Sequence, residues 1–64
     1  MKIAVICANG KAGKLIVKEA LDRKLDVTAV VRGENKTEAS QVITKDLFDL
    51  TAADLKGFDV VIDA

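Results

Sequence analysis

The junction MKIAVICANGKAG, residues 1–13, constrains this chain more than any other stretch. Lys2–Cys7 is apolar without polar alternation, the pattern of a strand buried on both faces. Ala8-Asn9-Gly10 follows as a turn, and from Lys11 the apolar positions take on helical spacing. Strand, glycine turn and helix start in that succession open a dinucleotide-binding unit. The first amides of such a helix lack intrahelical acceptors and sit at the positive end of its dipole, so a phosphate suits them.

The helix is expected over Lys11–Lys24, with Gly13, Val17, Ala20 and Leu21 on one side and Ile16 beside them. Lys14, Lys18, Glu19, Asp22 and Arg23 then fall toward water, so the helix can lie on a sheet. Asp26–Arg32 is β-branched and apolar and reads as a second strand. Gly33–Lys36 is a loop by composition, and Gln41–Lys45 reads as a short third strand. Thr51 and Asp54 have the spacing of a capping box opening a short helix to about Lys56, which Gly57 ends. Phe58–Ala64 is the fourth strand.

Strands alternating with helical segments imply an α/β fold with a parallel sheet. The expected order is 3-2-1-4, a partial Rossmann fold, with residues 1–64 forming its N-terminal part. The connection between the second and third strands is too short for the usual crossover, which takes about 10–12 residues. A loop or single helical turn, covering the sheet poorly, is expected there. An apolar strand in last place is expected to mark a truncated domain, prone to self-association along its exposed edge or face.

At 64 residues such a unit buries only about 60% of its unfolded surface and should be marginally stable. Ten basic residues balance ten acidic ones without a basic cluster, which speaks against nucleic acid or an anionic membrane as partner. No apolar run approaches the roughly 18 residues of a membrane span, and the start is too short for a secretory signal. The expected location is the cytoplasm. With no histidine and a single cysteine, a zinc site or a histidine-dependent triad within the chain is excluded.

The turn Cys7-Ala8-Asn9-Gly10-Lys11-Ala12-Gly13 carries the second and third glycines of a G-x-x-G-x-x-G fingerprint, with cysteine in first place. Gly10 would let the backbone approach a pyrophosphate, and Gly13 would let the helix sit close on the strand. Two glycines also suffice for a plain turn, but the strand before them and the helix after them favour the nucleotide reading. Cys7 is expected to be tolerated through an ordinary β backbone; weakened cofactor affinity or an oxidisable thiol near a helix N-terminus are the sharper readings. Arg32 stands about 20 residues beyond the glycines, where an acid would favour NAD and an arginine suits a 2′-phosphate. With Lys11 as a second cation, this favours NADP over NAD. Asp46 and Leu47, at the carboxyl end of the third strand, are candidates for the adenine amino group and ring, against a plain turn-forming aspartate. Ala64 ends the fourth strand on the same side. Asp59 and Asp63 read as solvated. A P-loop fails at Ala8 and Leu15, and a flavodoxin-like receiver fails for want of acids after the first strand.

MKIAVICANGKAGKLIVKEAL, VTAVVR and KDLFDLTAADLKGFDVVIDA together resemble the amino-terminal part of atypical short-chain dehydrogenase/reductases. The likeness is strongest to NmrA-like, NAD(P)H-binding oxidoreductases of the NADH-flavin reductase type, and it runs over essentially the whole chain. It implies NAD(P)H held through Asn9, Gly10, Lys11 and Gly13, with Arg32 at the ribose phosphate and Asp46-Leu47 at adenine. It also implies that the strand ending at Ala64 runs along the cofactor toward the nicotinamide. Cys7 departs from the family's first glycine, and Lys24-Leu25 from its helix-ending glycine. A left-handed non-glycine residue there costs on the order of 1 kcal/mol unless the helix end is reshaped. Classical members act through a tyrosine and a lysine, and this chain has no tyrosine. The resemblance therefore implies either the cofactor-binding part of an oxidoreductase with a flavin, quinone or small carbonyl acceptor, or a nucleotide-sensing regulator without catalysis.

Overall fold

The computed structural model describes residues 1–64 in the order β1 (Lys2–Ile6), α1 (Lys11–Asp22), β2 (Asp26–Val31), β3 (Gln41–Thr44), a 3-10 turn (Leu47–Asp49), α2 (Ala52–Leu55) and β4 (Val60–Asp63). The strands form one parallel sheet in the order β3-β2-β1-β4, as the sequence implies. No helix is long and apolar enough to cross a membrane.

Both faces of the central strands are covered, which explains the unbroken apolar runs of β1 and β2. On one face Ile3, Val5, Val27, Ala29 and Val31 pack with Ala8, Val17 and Ala20, so α1 lies over β1 and β2. Gly13, Val17 and Ala20 are the buried positions of α1, with Ile16 and Leu21 packed against the cluster. On the other face Ala4, Ile6 and Val30 meet Ile43, Leu50, Leu55 and Phe58, supplied by β3 and the segment leading to β4.

The helix is shorter than its apolar periodicity suggests. It ends at Asp22, and the Lys24 N–H donates to Leu21 O at 2.9 Å while the Leu25 N–H donates to Ala20 O at 3.0 Å. These paired bonds are a Schellman end, which requires a left-handed residue at Lys24; its φ is 60°. The helix end is not reshaped to escape the cost of a side chain there. Leu25 then folds back onto the core. Lys24→Gly is accordingly expected to stabilise the fold by about 0.5–1 kcal/mol, a rise of a few degrees in Tm, after the greater freedom of glycine in the unfolded chain is subtracted. A thermal melt checks this; an unchanged or lower Tm would contradict it.

The β2–β3 connection, residues 32–40, contains no helix and bridges parallel strands below the usual crossover length. Side chains hold it instead. The Asn35 amide donates to Ala39 O at 2.9 Å and accepts from the Thr37 N–H at 3.0 Å, while the Ala39 N–H donates to the Thr37 hydroxyl at 3.2 Å. Ala39 is thereby pressed into the α1-side core. The predicted capping box is present: the Thr51 hydroxyl accepts from the Asp54 N–H, and the Asp54 carboxylate accepts from the Thr51 N–H at 3.0 Å.

Candidate functional site

Parallel register decides where the chemistry collects. Ile6 pairs with Val30 and with Asp63, and Val31 pairs with Thr44, so the strands end nearly in one row. The residues leaving those ends, Cys7, Arg32, Lys45 and Ala64, therefore emerge side by side, as ligand-binding residues do in open α/β sheets. The Lys45 N–H donates to Val31 O at 2.9 Å and the Ala64 N–H to Ile6 O at 3.1 Å, which pins two of them. Between these ends lies a cleft of about 750 Å³, also bordered by Asn9, Gly10, Glu34, Lys36 and Asp46–Phe48. That volume is within the range of small-molecule and cofactor sites.

The glycine turn forms one wall. The Gly10 N–H donates to Cys7 O at 3.2 Å, and Gly10 then caps α1 with no side-chain acceptor. The Lys14 N–H takes Gly10 O at 2.9 Å, and the amides of Lys11, Ala12 and Gly13 make no hydrogen bond within the protein. No acidic side chain stands in that first turn, whereas Lys11 and Lys14 do. Free amides, a positive dipole end and adjacent cations together suit a multiply charged anion.

The two glycines differ in what requires them. At Gly13 a Cβ would stand 2.7 Å from Ala8 Cα and 2.8 Å from Cys7 O, both backbone, so the missing side chain lets α1 close onto the end of β1. At Gly10 a Cβ would meet nothing nearer than Cys7 O at 3.5 Å, and φ of −66° is open to any residue. Neither packing nor conformation demands glycine at Gly10.

Cys7 corrects one expectation. β1 stops at Ile6, and Cys7 adopts φ of 61°, not an ordinary β backbone. The turn here is left-handed, the conformation that the usual glycine takes without strain, and a side chain raises its energy by about 1–2 kcal/mol. The thiol is exposed on the cleft wall.

Asn9 joins the turn to the β2–β3 connection. Its amide donates to Glu34 O at 2.7 Å, and its carbonyl accepts from the Lys36 N–H at 2.8 Å. Arg32, Glu34 and Lys36 are thus carried on a loop clamped to the same turn that presents the amides. Lys11 and Ala12 open α1 beyond the cleft wall, so Lys36 is the cation that shares the wall with Arg32. Lys45 also lies on the wall, but its ammonium is 2.9 Å from both Asp54 oxygens. That ammonium, and after it the Thr51 N–H, hold the Asp54 carboxyl below the usual aspartate range. Arg32 and Lys36 make no ion pair, which leaves them as the uncommitted cations of the cleft. Asp46 has a structural task, because its Oδ1 accepts from the Phe48 N–H at 3.1 Å and caps the 3-10 turn.

Residues 7–64 match a family described as NAD(P)H-binding. The chain belongs to that family. YwnB of Bacillus subtilis, an uncharacterized protein, is 50% identical over 66 residues, covering 100% of this chain and 31% of YwnB. SP1627 of Streptococcus pneumoniae, a solved structure provisionally named an NADH-flavin reductase, is 62% identical with a TM-score of 0.97, covering 100% of this chain and 30% of SP1627. Lmo0794 of Listeria monocytogenes is 44% identical with a TM-score of 0.91, covering 100% of this chain and 40% of Lmo0794. The chain therefore spans between 30% and 40% of the length of these relatives.

For an NAD(P)H-binding chain the surroundings of the turn have a fitting composition: free amides at the start of α1, a Gly10 that neither packing nor conformation requires, and cations on the loop after the second strand. Sequence reasoning missed Lys36 and Phe48. Lys36 enters through the Asn9 clamp, which only the folded loop reveals. The run Asp46-Leu47-Phe48 did carry a signal, two consecutive apolar residues at a strand's carboxyl end.

Proposed function

We propose that this chain is the cofactor-binding part of an NAD(P)H-dependent oxidoreductase, with the diphosphate held at the start of α1. One observation carries the reading most: Gly10 borders the cleft and neither its backbone angles nor its neighbours call for a glycine. The amides of Lys11, Ala12 and Gly13 bind the diphosphate, and Asn9 keeps the β2–β3 loop in register with them. Asp46 and Leu47 border the adenosine side, at the β3 end of the sheet. Cys7 and Ala64 border the path from the diphosphate toward β4, where the nicotinamide ribose lies.

A bound nicotinamide supplies the hydride chemistry, and no residue of this chain is assigned to proton transfer on a substrate. The acceptor we favour is a flavin, a quinone or a small carbonyl compound, in keeping with the provisional name of SP1627. Oxidation of NADPH with added flavin or quinone by the complete protein tests this, the 64-residue chain alone being expected to be inactive. Tight cofactor binding by the complete protein without turnover would instead support a nucleotide-sensing regulator.

NADP is favoured over NAD because Arg32 and Lys36 are the uncommitted cations of the cleft, and both come from the end of β2 and the loop after it. Glu34 shares that loop and is the acid that would otherwise accept a ribose 2′-OH. Titration of NADPH and NADH into the protein and its Arg32→Asp variant separates the two. The unmutated protein is expected to prefer NADPH, and the substitution to reduce that preference by about tenfold or more, since a charge-assisted bond of roughly 1.5–3 kcal/mol is lost and a repulsion is added. An unchanged ratio of affinities would contradict it.

A further inference from the structure

The chain has two phenylalanines, and they are used in opposite ways. Phe58 packs against the sheet with Ile43, Leu50 and Leu55. Phe48 belongs to neither core cluster, and 94% of it is exposed. It stands on the wall of the cleft beside Leu47, which is 52% exposed.

The ring is free, yet the backbone beneath it is fixed. The Phe48 N–H donates to Asp46 Oδ1, the Asp49 N–H to Asp46 O at 2.9 Å, and the Leu50 N–H to Leu47 O at 3.3 Å. Leu50, two residues on, is packed under the sheet. A large apolar ring on an anchored turn loses little freedom when it closes on a flat partner, and it gains the area it now exposes to water. The position along the sheet tells which part of a dinucleotide it meets. The free amides lie at the end of β1, the cations Arg32 and Lys36 follow β2, and Phe48 follows β3, the edge strand on that side. A base attached beyond the ribose that faces Arg32 comes to the β3 end.

We propose that Phe48 is the stacking residue of the adenine subsite, closing its ring over the base face while the Asp46 cap holds its backbone in place. This rests on the dinucleotide reading given above. It adds a contact that the apolar edge of Leu47 does not supply, since an aromatic ring attracts a base face through stacking as well as area burial.

The test uses two variants and three ligands. Phe48→Ala is expected to weaken NADPH binding by about tenfold, the loss typical of one base–aromatic stack, and to leave the affinity for nicotinamide mononucleotide unchanged. Its melting temperature should match that of the unmutated protein, because the exposed ring supports no core. The chain contains no tryptophan or tyrosine, so the indole of Phe48→Trp is a unique reporter within it. Adenosine 2′,5′-bisphosphate is expected to quench its emission, and nicotinamide mononucleotide is not. NADPH bound equally well by Phe48→Ala and the unmutated protein, or an indole indifferent to the adenosine bisphosphate, would overturn this assignment alone. Failure of the unmutated protein to bind either dinucleotide would overturn the assignment together with the function on which it rests.

Discussion

Gly13→Ala is expected to leave the chain without a cooperative folding transition. The added carbon would stand 2.7 Å from both Ala8 Cα and Ala8 O and 2.8 Å from Cys7 O, so backbone would have to give way. Ala8 cannot retreat, because it is fully buried and its N–H is bonded to Val30 O at 3.3 Å. The helix must lift instead, pulling Val17 and Ala20 away from Val5 and Val27. Overpacking of this kind costs about 1–3 kcal/mol, and lost contacts add to it, against a gain of about 1 kcal/mol from the better helix propensity of alanine. A chain in which 14 of 64 residues are buried has little reserve; a core of this size rarely supplies more than about 3–5 kcal/mol. Circular dichroism of Gly13→Ala should show helix loss without a sharp melt. A melting temperature within a few degrees of the unmutated protein would disprove the close approach.

Gly10→Ala should do the reverse, preserving the fold and removing the ligand. The φ of −66° and the 3.5 Å clearance to Cys7 O accept a methyl group. Alanine is a poorer helix cap than glycine by some tenths of a kcal/mol, and stiffening of the unfolded chain returns about as much. On the cleft side, however, the methyl occupies the space through which an anion reaches the amides of Lys11, Ala12 and Gly13. Charge-assisted bonds of about 2.7–2.9 Å cannot form across it, and each is worth roughly 1.5–3 kcal/mol. NADPH affinity is therefore expected to fall by about 10- to 100-fold with Tm nearly unchanged, read by calorimetry and a thermal melt on the same sample. Unaltered affinity would mean that the diphosphate does not approach Gly10. The two glycines thus separate folding from binding within a single turn.

The sheet order was legible because it follows from alternation: apolar strands β1 and β2 flank an amphipathic α1, and each must be covered on both faces. The Thr51–Asp54 box was equally readable, being a purely local spacing. Backbone conformation was legible only in part: Cys7 is left-handed where an ordinary β backbone is expected, while Lys24 keeps the left-handed helix end whose cost the missing glycine raises, and in each the surrounding packing decides. At Lys24 it is Leu25 returning to the core; at Cys7 it is the need to turn the chain under α1 within the span from Ile6 to Gly10. The cleft was half legible. Cys7, Arg32, Asp46 and Ala64 follow from counting to strand ends. Lys36 arrives through the clamp made by Asn9, and Lys45, though on the wall, is drawn to Asp54; pairings across such separations are invisible before the loops close.

The central claim is that the opening amides of α1 hold the cofactor's diphosphate, and amide NMR reads those groups one by one. On titration of the labelled protein with NADPH, the largest shift changes are expected at Lys11, Ala12 and Gly13, followed by Arg32 and Lys36, with the outer face of α1 at Lys18 and Asp22 silent. Saturable binding that left the Lys11–Gly13 amides unmoved while shifting others would contradict the account.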